Sequence, residues 1–443
     1  MCRRCGASSR YAAALRRRDA QPGSRSPAPD ETVKVLRIIA RLNVGGPARH
    51  VLFLTRGLQD EEFQSWLIAG TVPEGEQEMS YLAKEIGVEP IYLREMSREL
   101  SVKDVTSLYK IYREIKRIRP DVLHTHTAKA GAVGRVAGLL YRWFTLKTFL
   151  GKPRPLKVVH TFHGHVFHSY YGKFRTRIFI TIESVLARIA TDKIVVISNQ
   201  QFEEIHNTFG IGRAKQFEII PLGIDLRRFE NPQSDRDVLR SEIGADDSDF
   251  LVGFVGRLTE VKNIPLLLSA AQRVASNGNG IRPKLRFLIV GEGHLREKLE
   301  MQATEMGLSA QVSFLGNRAD IENIYPALDV VALTSLNEGT PLSIIEAMAS
   351  GKPVISTTVG GVVDLLGTQE AEEDGFVVCE RGVGTKSNSV EGLVNGLLHL
   401  VQNNELRQEI GVRSRDYAMS QFSKERLVSD TKRLYRDLVR QDR

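Results

Sequence analysis

Two carboxylates eight positions apart are the residues of this chain best placed to do chemistry. Glu346 falls in the middle of LSIIEAMAS, whose other residues are apolar or small and read as a buried helix. Glu338 stands just ahead of that helix. A carboxylate buried without a partner is costly, so Glu346 requires either a ligand or a buried Arg or Lys. Thr340-Pro341 reads as the helix start, with Thr as the cap and Pro at the first helical position. Gly339 ahead of it permits a close backbone approach. Free N–H groups and the dipole at such a terminus attract anions, although an ordinary capped helix has the same residues. Glu346 lies about 9 Å along the helix from Thr340 at ~1.5 Å per residue. That is roughly the reach from a diphosphate to the hydroxyls of an attached ribose, a vicinal diol that can donate two hydrogen bonds to a carboxylate.

Other residues suit the same anion. VGRLTEVKN places Arg257 and Lys262 five apart in one loop, a guanidinium and an ammonium able to share a diphosphate. Gly45-Gly46 gives another close approach of backbone. Each feature alone is ordinary; at strand ends of two facing domains they form a diphosphate cradle.

The elements that must position them alternate. From Val33 onward, short β-branched runs (VKVLRIIA, DVLHTHT, KVVHTF, DKIVVIS) each precede a helical segment, the pattern of a parallel sheet with helices on both faces. The rhythm breaks at PLGIDLRRFENP and restarts with FLVGFVGRL, LRFLIVGEG, QVSFLG, DVVALTS and KPVIST. The expectation is an α/β protein of two doubly wound domains, 33–222 and 223–421, behind a basic tail of residues 1–32. A last helix within 422–443 is placed to pack back across both. Ligands of open parallel sheets sit at the carboxyl ends of strands, so the interdomain cleft is the expected site.

His124, His126, His160, His163, His165 and His168 gather behind two strand segments. Their types allow a metal site, but no carboxylate or cysteine interleaves them. Hydrogen bonding to a bound ligand, and plain structural roles, remain open. Asp235/Asp237 and Asp247/Asp249 precede the second domain's first strand and read as caps and turns. Neither a divalent metal nor any other cofactor is implied.

Composition bounds the rest. The chain has 443 residues, 42% hydrophobic and 26% charged, with a formal charge of +8. Residues 1–30 hold seven arginines against two aspartates, so five of those eight charges sit there, and nucleic acid is not an expected partner. That Arg-rich, acid-poor stretch reads as disordered, with a transit peptide as the alternative. Cys2 and Cys5 lack a second Cys/His pair, and Cys379 stands far off, which points to a reducing compartment. No apolar run reaches the ~18 residues needed to span a bilayer. YRWFTLKTFLGKPRPLK, residues 141–157, mixes aromatic and basic residues, either as a surface loop or as peripheral contact with a membrane.

The E-x7-E spacing, the upstream GRL…K loop and the GG loop together resemble the retaining glycosyltransferases of family 4, of the GT-B fold. The resemblance runs from about Val33 to the C-terminus. It implies that Arg257 and Lys262 hold a donor diphosphate, that Glu346 binds the ribose and that Glu338 contacts the transferred sugar. It implies that the backbone from Gly339 through Thr340 and Pro341 to Leu342 caps phosphate and sugar, and that His163 lies by the sugar. Gly316 and Asn317, in FLGNR, occupy the place of the base. A nucleotide-sugar donor, with UDP the family's commonest nucleotide, and a glycan or lipid-linked acceptor for a cell-surface polysaccharide follow as expectations. So does a cytoplasmic location, at the inner face of the membrane if residues 141–157 touch it. A UDP-sugar epimerase of the same fold and a non-catalytic partner subunit are the rivals.

Overall fold

The computed structural model of the protein describes residues 32–43, 45–72, 78–96, 103–145, 148, 152–164, 173–230, 236–276 and 283–440. The expectations for the tail, for Cys2 and Cys5, and for Lys147, His165, His168 and Asp235 lie outside them.

Seven strands form the first sheet: Val33–Arg41 (β1), Phe63–Gly70 (β2), Ile91–Leu93 (β3), Val122–His126 (β4), Lys157–Thr161 (β5), Lys193–Val196 (β6) and Phe217–Ile219 (β7). All pair in parallel, in the order β3-β2-β1-β4-β5-β6-β7. The chain runs outward from β1 to β3, returns to the centre, and runs outward the other way. This is the doubly wound order, in which ligand crevices open where the direction reverses. Here that point lies between β1 and β4.

The second sheet has eight strands: Phe250–Val255 (β8), Leu285–Val290 (β9), Val312–Gly316 (β10), Val330–Leu333 (β11), Val354–Thr357 (β12), Gln369–Glu372 (β13), Phe376–Cys379 (β14) and Gly382–Thr385 (β15). Their order is β10-β9-β8-β11-β12-β15-β14-β13. One edge departs from the all-parallel expectation: β14 runs antiparallel to both β13 and β15. Only Glu380 and Arg381 separate β14 from β15, and so short a connection can join only antiparallel strands.

Six helices frame the cleft and the outer face of the first domain: Gly46–Gly57 (α1), Lys103–Ile118 (α2), Ala128–Trp143 (α3), Lys173–Ile189 (α4), Leu342–Ala349 (α5) and Lys424–Arg440 (α6). α3 lies close on its sheet because Gly131, Gly134 and Gly138 line the contact face. A Cβ at Gly131 would stand 2.4 Å from the His160 ring, and one at Gly134 2.8 Å from Thr125. α3 is tied to α4 by a buried Arg135–Glu183 pair at 2.6 Å. Removing one partner of such a pair costs about 3–5 kcal/mol.

The chain crosses between the domains twice, side by side. Ile224 and Ser423 form a bridge, with Ile224 N–H donating to Phe422 O at 2.9 Å and Lys424 N–H to Ile224 O at 3.1 Å. α6 then packs on the first domain, where Leu427, Leu434, Tyr435 and Leu438 share a core with Val35, Leu54, Phe63 and Val195. Beneath it the buried Arg37 donates to Ser65 Oγ and, at 3.3 Å, to the Tyr435 hydroxyl.

Candidate active site

On the second domain's side, the loops after β8 and β11 bring Lys262 and Glu338 together. Lys262 Nζ lies 2.5 Å from Glu338 Oε1, which also accepts from Ser335 Oγ at 2.6 Å. Strand-end hydroxyls set this geometry: Thr334 Oγ1 donates to Lys262 O at 3.0 Å and Thr357 Oγ1 to Ser335 O at 2.6 Å. Arg257 stands exposed at the end of β8, and Asn317 exposed after β10, where Gly316 turns the chain at φ 71°. The sequence reading missed Gly361. Its N–H donates to Glu338 O at 3.1 Å, and a Cβ there would fall 1.9 Å from Gly339 O. The turn holding Glu338 therefore needs a residue without a side chain at 361. The available signal was a second GG pair, Gly360-Gly361, after β12.

α5 starts later than expected. Its first residue is Leu342 and its N-cap is Pro341, at φ −72° and ψ 120°. The capping position thus carries no hydroxyl, and Thr340 does not cap; its Oγ1 is buried without a partner among the described residues. Glu346 is held by Tyr325, whose hydroxyl donates to Oε2 at 2.9 Å. This is not the ion pair with Arg or Lys that was the alternative. Burial pushes the Glu346 carboxyl above the usual range, while the Tyr325 hydroxyl and the charges of Arg49 and Arg228 draw it back. Arg49 belongs to α1 of the first domain, so the field at Glu346 comes from both sides of the cleft.

The first domain answers with histidines. His126 Nδ1 and His163 Nε2 lie 2.9 Å apart, and the His50 ring meets His163 edge-on at 4.9 Å. His124 packs under His126 at 4.2 Å and is clamped by the Tyr435 hydroxyl at 2.5 Å and Thr161 Oγ1 at 2.7 Å. His160 turns instead towards α3, with Nδ1 2.9 Å from Thr125 Oγ1. Burial lowers the pKa of His50, His124, His126 and His160 well below the usual imidazole value, and that of His163 to about 3. The cluster is uncharged at neutral pH. His50, on α1, was not singled out in the sequence, since its neighbours are 76 and 113 residues away along the chain.

His50, His126 and His163 are the described residues best able to hold a cation, with one ring nitrogen from each within 4.8 Å of the others. Metal-bound imidazoles commonly donate their second N–H to an acceptor. Here His50 Nδ1, His126 Nε2 and His163 Nδ1 are buried with no partner among the described residues. These unpartnered nitrogens are available to a ligand in the cleft.

The two sides meet. A Cβ on Gly339 would stand 3.4 Å from Gly164 Cα, so the Glu338 turn abuts the His163 turn. A Cβ on Gly46 would lie 3.7 Å from Leu342 Cδ1, which brings the GG loop to the first residue of α5. Gln200 N–H also donates across the cleft to Asp364 at 3.0 Å. Outside the cleft, Asp249 accepts from Asp246 N–H at 3.1 Å within a turn. In the 141–157 stretch, Arg142 is bound to Asp192 at 3.1 Å and Arg154 lies over the Tyr141 ring at 4.6 Å. These two cations are engaged within the domain.

Two Rossmann-like domains meeting at their strand ends, with an acid–lysine pair on one and a helix N-terminus beside it, define the GT-B class of glycosyltransferases. The family described as Glycosyltransferase Family 4 matches residues 44–228, and that described as Glycosyl transferases group 1 matches residues 235–417. Among curated relatives, the UDP-Gal:alpha-D-GlcNAc-diphosphoundecaprenol alpha-1,3-galactosyltransferase of Escherichia coli is 29% identical over 397 residues, covering 87% of this chain and 95% of that protein. The N-acetyl-alpha-D-glucosaminyl L-malate synthase of Bacillus anthracis is 24% identical, covering 77% and 81%. Among solved structures, Anabaena HepE in complex with UDP superposes with a TM-score of 0.71 at 20% identity, over 92% of this chain and all of that one. The chain belongs to the family 4 glycosyltransferases of the GT-B superfamily and is a glycosyltransferase.

Proposed function

We propose that the protein transfers a sugar from a UDP-linked donor to a lipid-linked glycan, with retention of anomeric configuration, in building a cell-surface polysaccharide. The observation that carries this reading is the Lys262–Glu338 pair, held by strand-end hydroxyls against the His163–Gly164 turn. Breaking the bond from sugar to diphosphate develops positive charge on the sugar and negative charge on the leaving diphosphate. Arg257, Lys262 and the N-terminus of α5, with Gly339 to Leu342, stabilise the leaving charge, the largest contribution expected at such a site. Gly45 and Gly46 let the first domain's backbone approach from the other side. Glu346, oriented by Tyr325, takes the ribose diol, and Gly316 and Asn317 flank the base. Glu338 and His163 face the transferred sugar, one charged and one neutral. No residue is assigned as a nucleophile. The E. coli relative is named for a UDP-Gal donor, a diphosphoundecaprenol-linked acceptor and an alpha-1,3 product. HepE was solved with UDP and glucose. Both support a UDP donor, and the E. coli relative alone supports a lipid-linked acceptor.

The test has two stages. Nucleoside diphosphates are first compared by thermal shift, where a ligand at 100 times its Kd adds about 2.7 kcal/mol. UDP should give the largest shift, and a screen in which no nucleotide stabilises the fold would remove the donor site. Labelled UDP-sugars are then supplied with polyprenyl-diphosphate-linked acceptors, and the anomeric configuration of the product is read by proton coupling. An inverted product, or conversion of UDP-sugar with no acceptor present, would overturn the transfer mechanism in favour of inversion or epimerisation.

A further inference from the structure

α2, α3 and α4 cover one face of the first sheet, with α3 packed between the other two. Ala132, Val133 and Val136 of α3 are small and form the floor of a groove of about 430 Å³. Val105 and Leu108 of α2 make one wall, and Ile182 and Val185 of α4 the other. α4 carries Ile178, Ile182, Val185 and Ile189 at spacings of four, three and four, a single helical stripe. That stripe faces outward, with exposures of 43%, 36%, 49% and 55%. Val105 and Tyr109 of α2 are more exposed still, at 69% and 60%, and Trp143 and Phe144 close the end of α3 at 43% and 72%. Of the seventeen large apolar side chains exposed among the described residues, eight lie on these three helices and their end. Concentration on that scale marks an interaction surface.

The same helices hold the chain's positive charge. α2, α3 and α4 each carry a formal +3, nine in all, against +8 for the whole protein. With five more in the first thirty residues, everything else is net acidic. Two of these cations stand beside aromatic rings: Arg113 over Tyr109 at 6.0 Å and Lys116 over Tyr112 at 5.9 Å. Apolar stripe, aromatic rim and basic flank are the combination that seats a surface in the headgroup region of a bilayer.

We propose that the α2–α3–α4 face docks on an anionic lipid surface, with the α4 stripe and the groove entering the acyl boundary. Charge decides between the possible occupants. A second copy would set one net-positive face against another, which repels. Nucleic acid would match the charge but offers nothing to bury the aliphatic stripe. Anionic lipid satisfies both. This face takes the place of the 141–157 stretch, whose Arg142 and Arg154 are engaged within the domain, and shares only its aromatic end. Docking there needs neither donor nor acceptor, so it stands apart from the identity of either.

The experiment is co-sedimentation of the full chain with vesicles of phosphatidylcholine alone and of phosphatidylcholine with phosphatidylglycerol. Binding is expected only with phosphatidylglycerol and should weaken with salt as charges are screened. Ile182→Asp with Val185→Asp should lower it about tenfold or more. Arg113→Gln and Lys116→Gln should each lower it about fivefold. With Trp66→Phe as background, Trp143 fluorescence should be quenched by brominated acyl chains. Unaltered circular dichroism and unaltered transfer to a water-soluble acceptor show that the Asp pair still folds; Val105→Asp, on a highly exposed position, is the second variant should it not. Equal binding to both vesicle types, undiminished binding by the Asp variants, or a dimer that the Asp pair dissociates would each overturn the proposal.

Discussion

The two walls of the cleft solve different electrostatic problems. On the second domain the groups are charged and already paired: Lys262 with Glu338, and Glu346 with the Tyr325 hydroxyl. On the first domain they are neutral, stacked and only half satisfied, with one nitrogen each of His50, His126 and His163 lacking a partner among the described residues. On the proposed reading, charge gathers where a diphosphate would be held and released, and uncharged donors and acceptors where hydroxyls would be recognised without pulling on the leaving group. Neither wall is a complete site alone, which is why the close approach of Gly339 to Gly164 matters.

Acid should separate the two walls most strongly. An unfolded histidine titrates near 6.5, whereas burial holds His50, His124, His126 and His160 well below that, and His163 at about 3. Between these values the unfolded chain binds more protons than the folded one, so stability must fall as pH drops below about 6.5 towards about 3. The slope is about 1.4 kcal/mol per histidine for each pH unit. Hydrogen exchange at pH 7.5 and 5.5 should show β4 and β5 losing protection while β11 and β12 keep theirs. Uniform loss across both sheets would erase the contrast.

Next in size is Glu338→Gln. It should leave UDP binding close to normal and lower turnover by about 10²–10³, a loss of about 2.7–4 kcal/mol confined to the transition state. Steady-state rates set beside titration calorimetry separate the two. Full turnover would take Glu338 out of the reaction.

Glu346→Gln should do the opposite, weakening free UDP by about 1.5–3 kcal/mol, the range for a hydrogen bond to a charged group. Wild-type affinity in calorimetry would end the ribose assignment. The smallest effect belongs to Tyr325→Phe, which keeps the carboxylate but removes its orienting donor. It should cost about 1 kcal/mol in UDP affinity; a loss as large as that of Glu346→Gln would mean that the tyrosine itself touches the nucleotide.

Distance along the chain decided what was legible in the sequence. Glu338, Arg257 and Lys262 stand in loops directly after strands, so alternation alone places them at the cleft. The domain architecture was readable for the same reason, because each strand and helix announces itself within about ten residues. Tyr325 as the partner of Glu346, and Tyr435 as the clamp on His124, could not be read that way. The first lies 21 residues away and the second 311, and nothing local marks either. Thr340 misled because Thr-Pro fits a helix start in two registers, and Pro341 took the cap itself. The antiparallel β14 escaped notice because its hairpin turn is only Glu380-Arg381, without the Gly or Asn that usually signals one.

The return of α6 has a consequence for how the protein is made. Leu427, Leu434, Tyr435 and Leu438 complete a core whose other members end at Ile220. A ribosome moving at ~5–20 residues per second therefore needs roughly 10–40 s after the last first-domain strand before it supplies them. Throughout that interval the nascent first domain presents the uncovered side chains of Val35, Leu54 and Phe63, and the buried Arg37 lacks its tyrosine. The half of the enzyme made first is finished last, and its dependence on chaperones during synthesis should exceed that of the half translated after it.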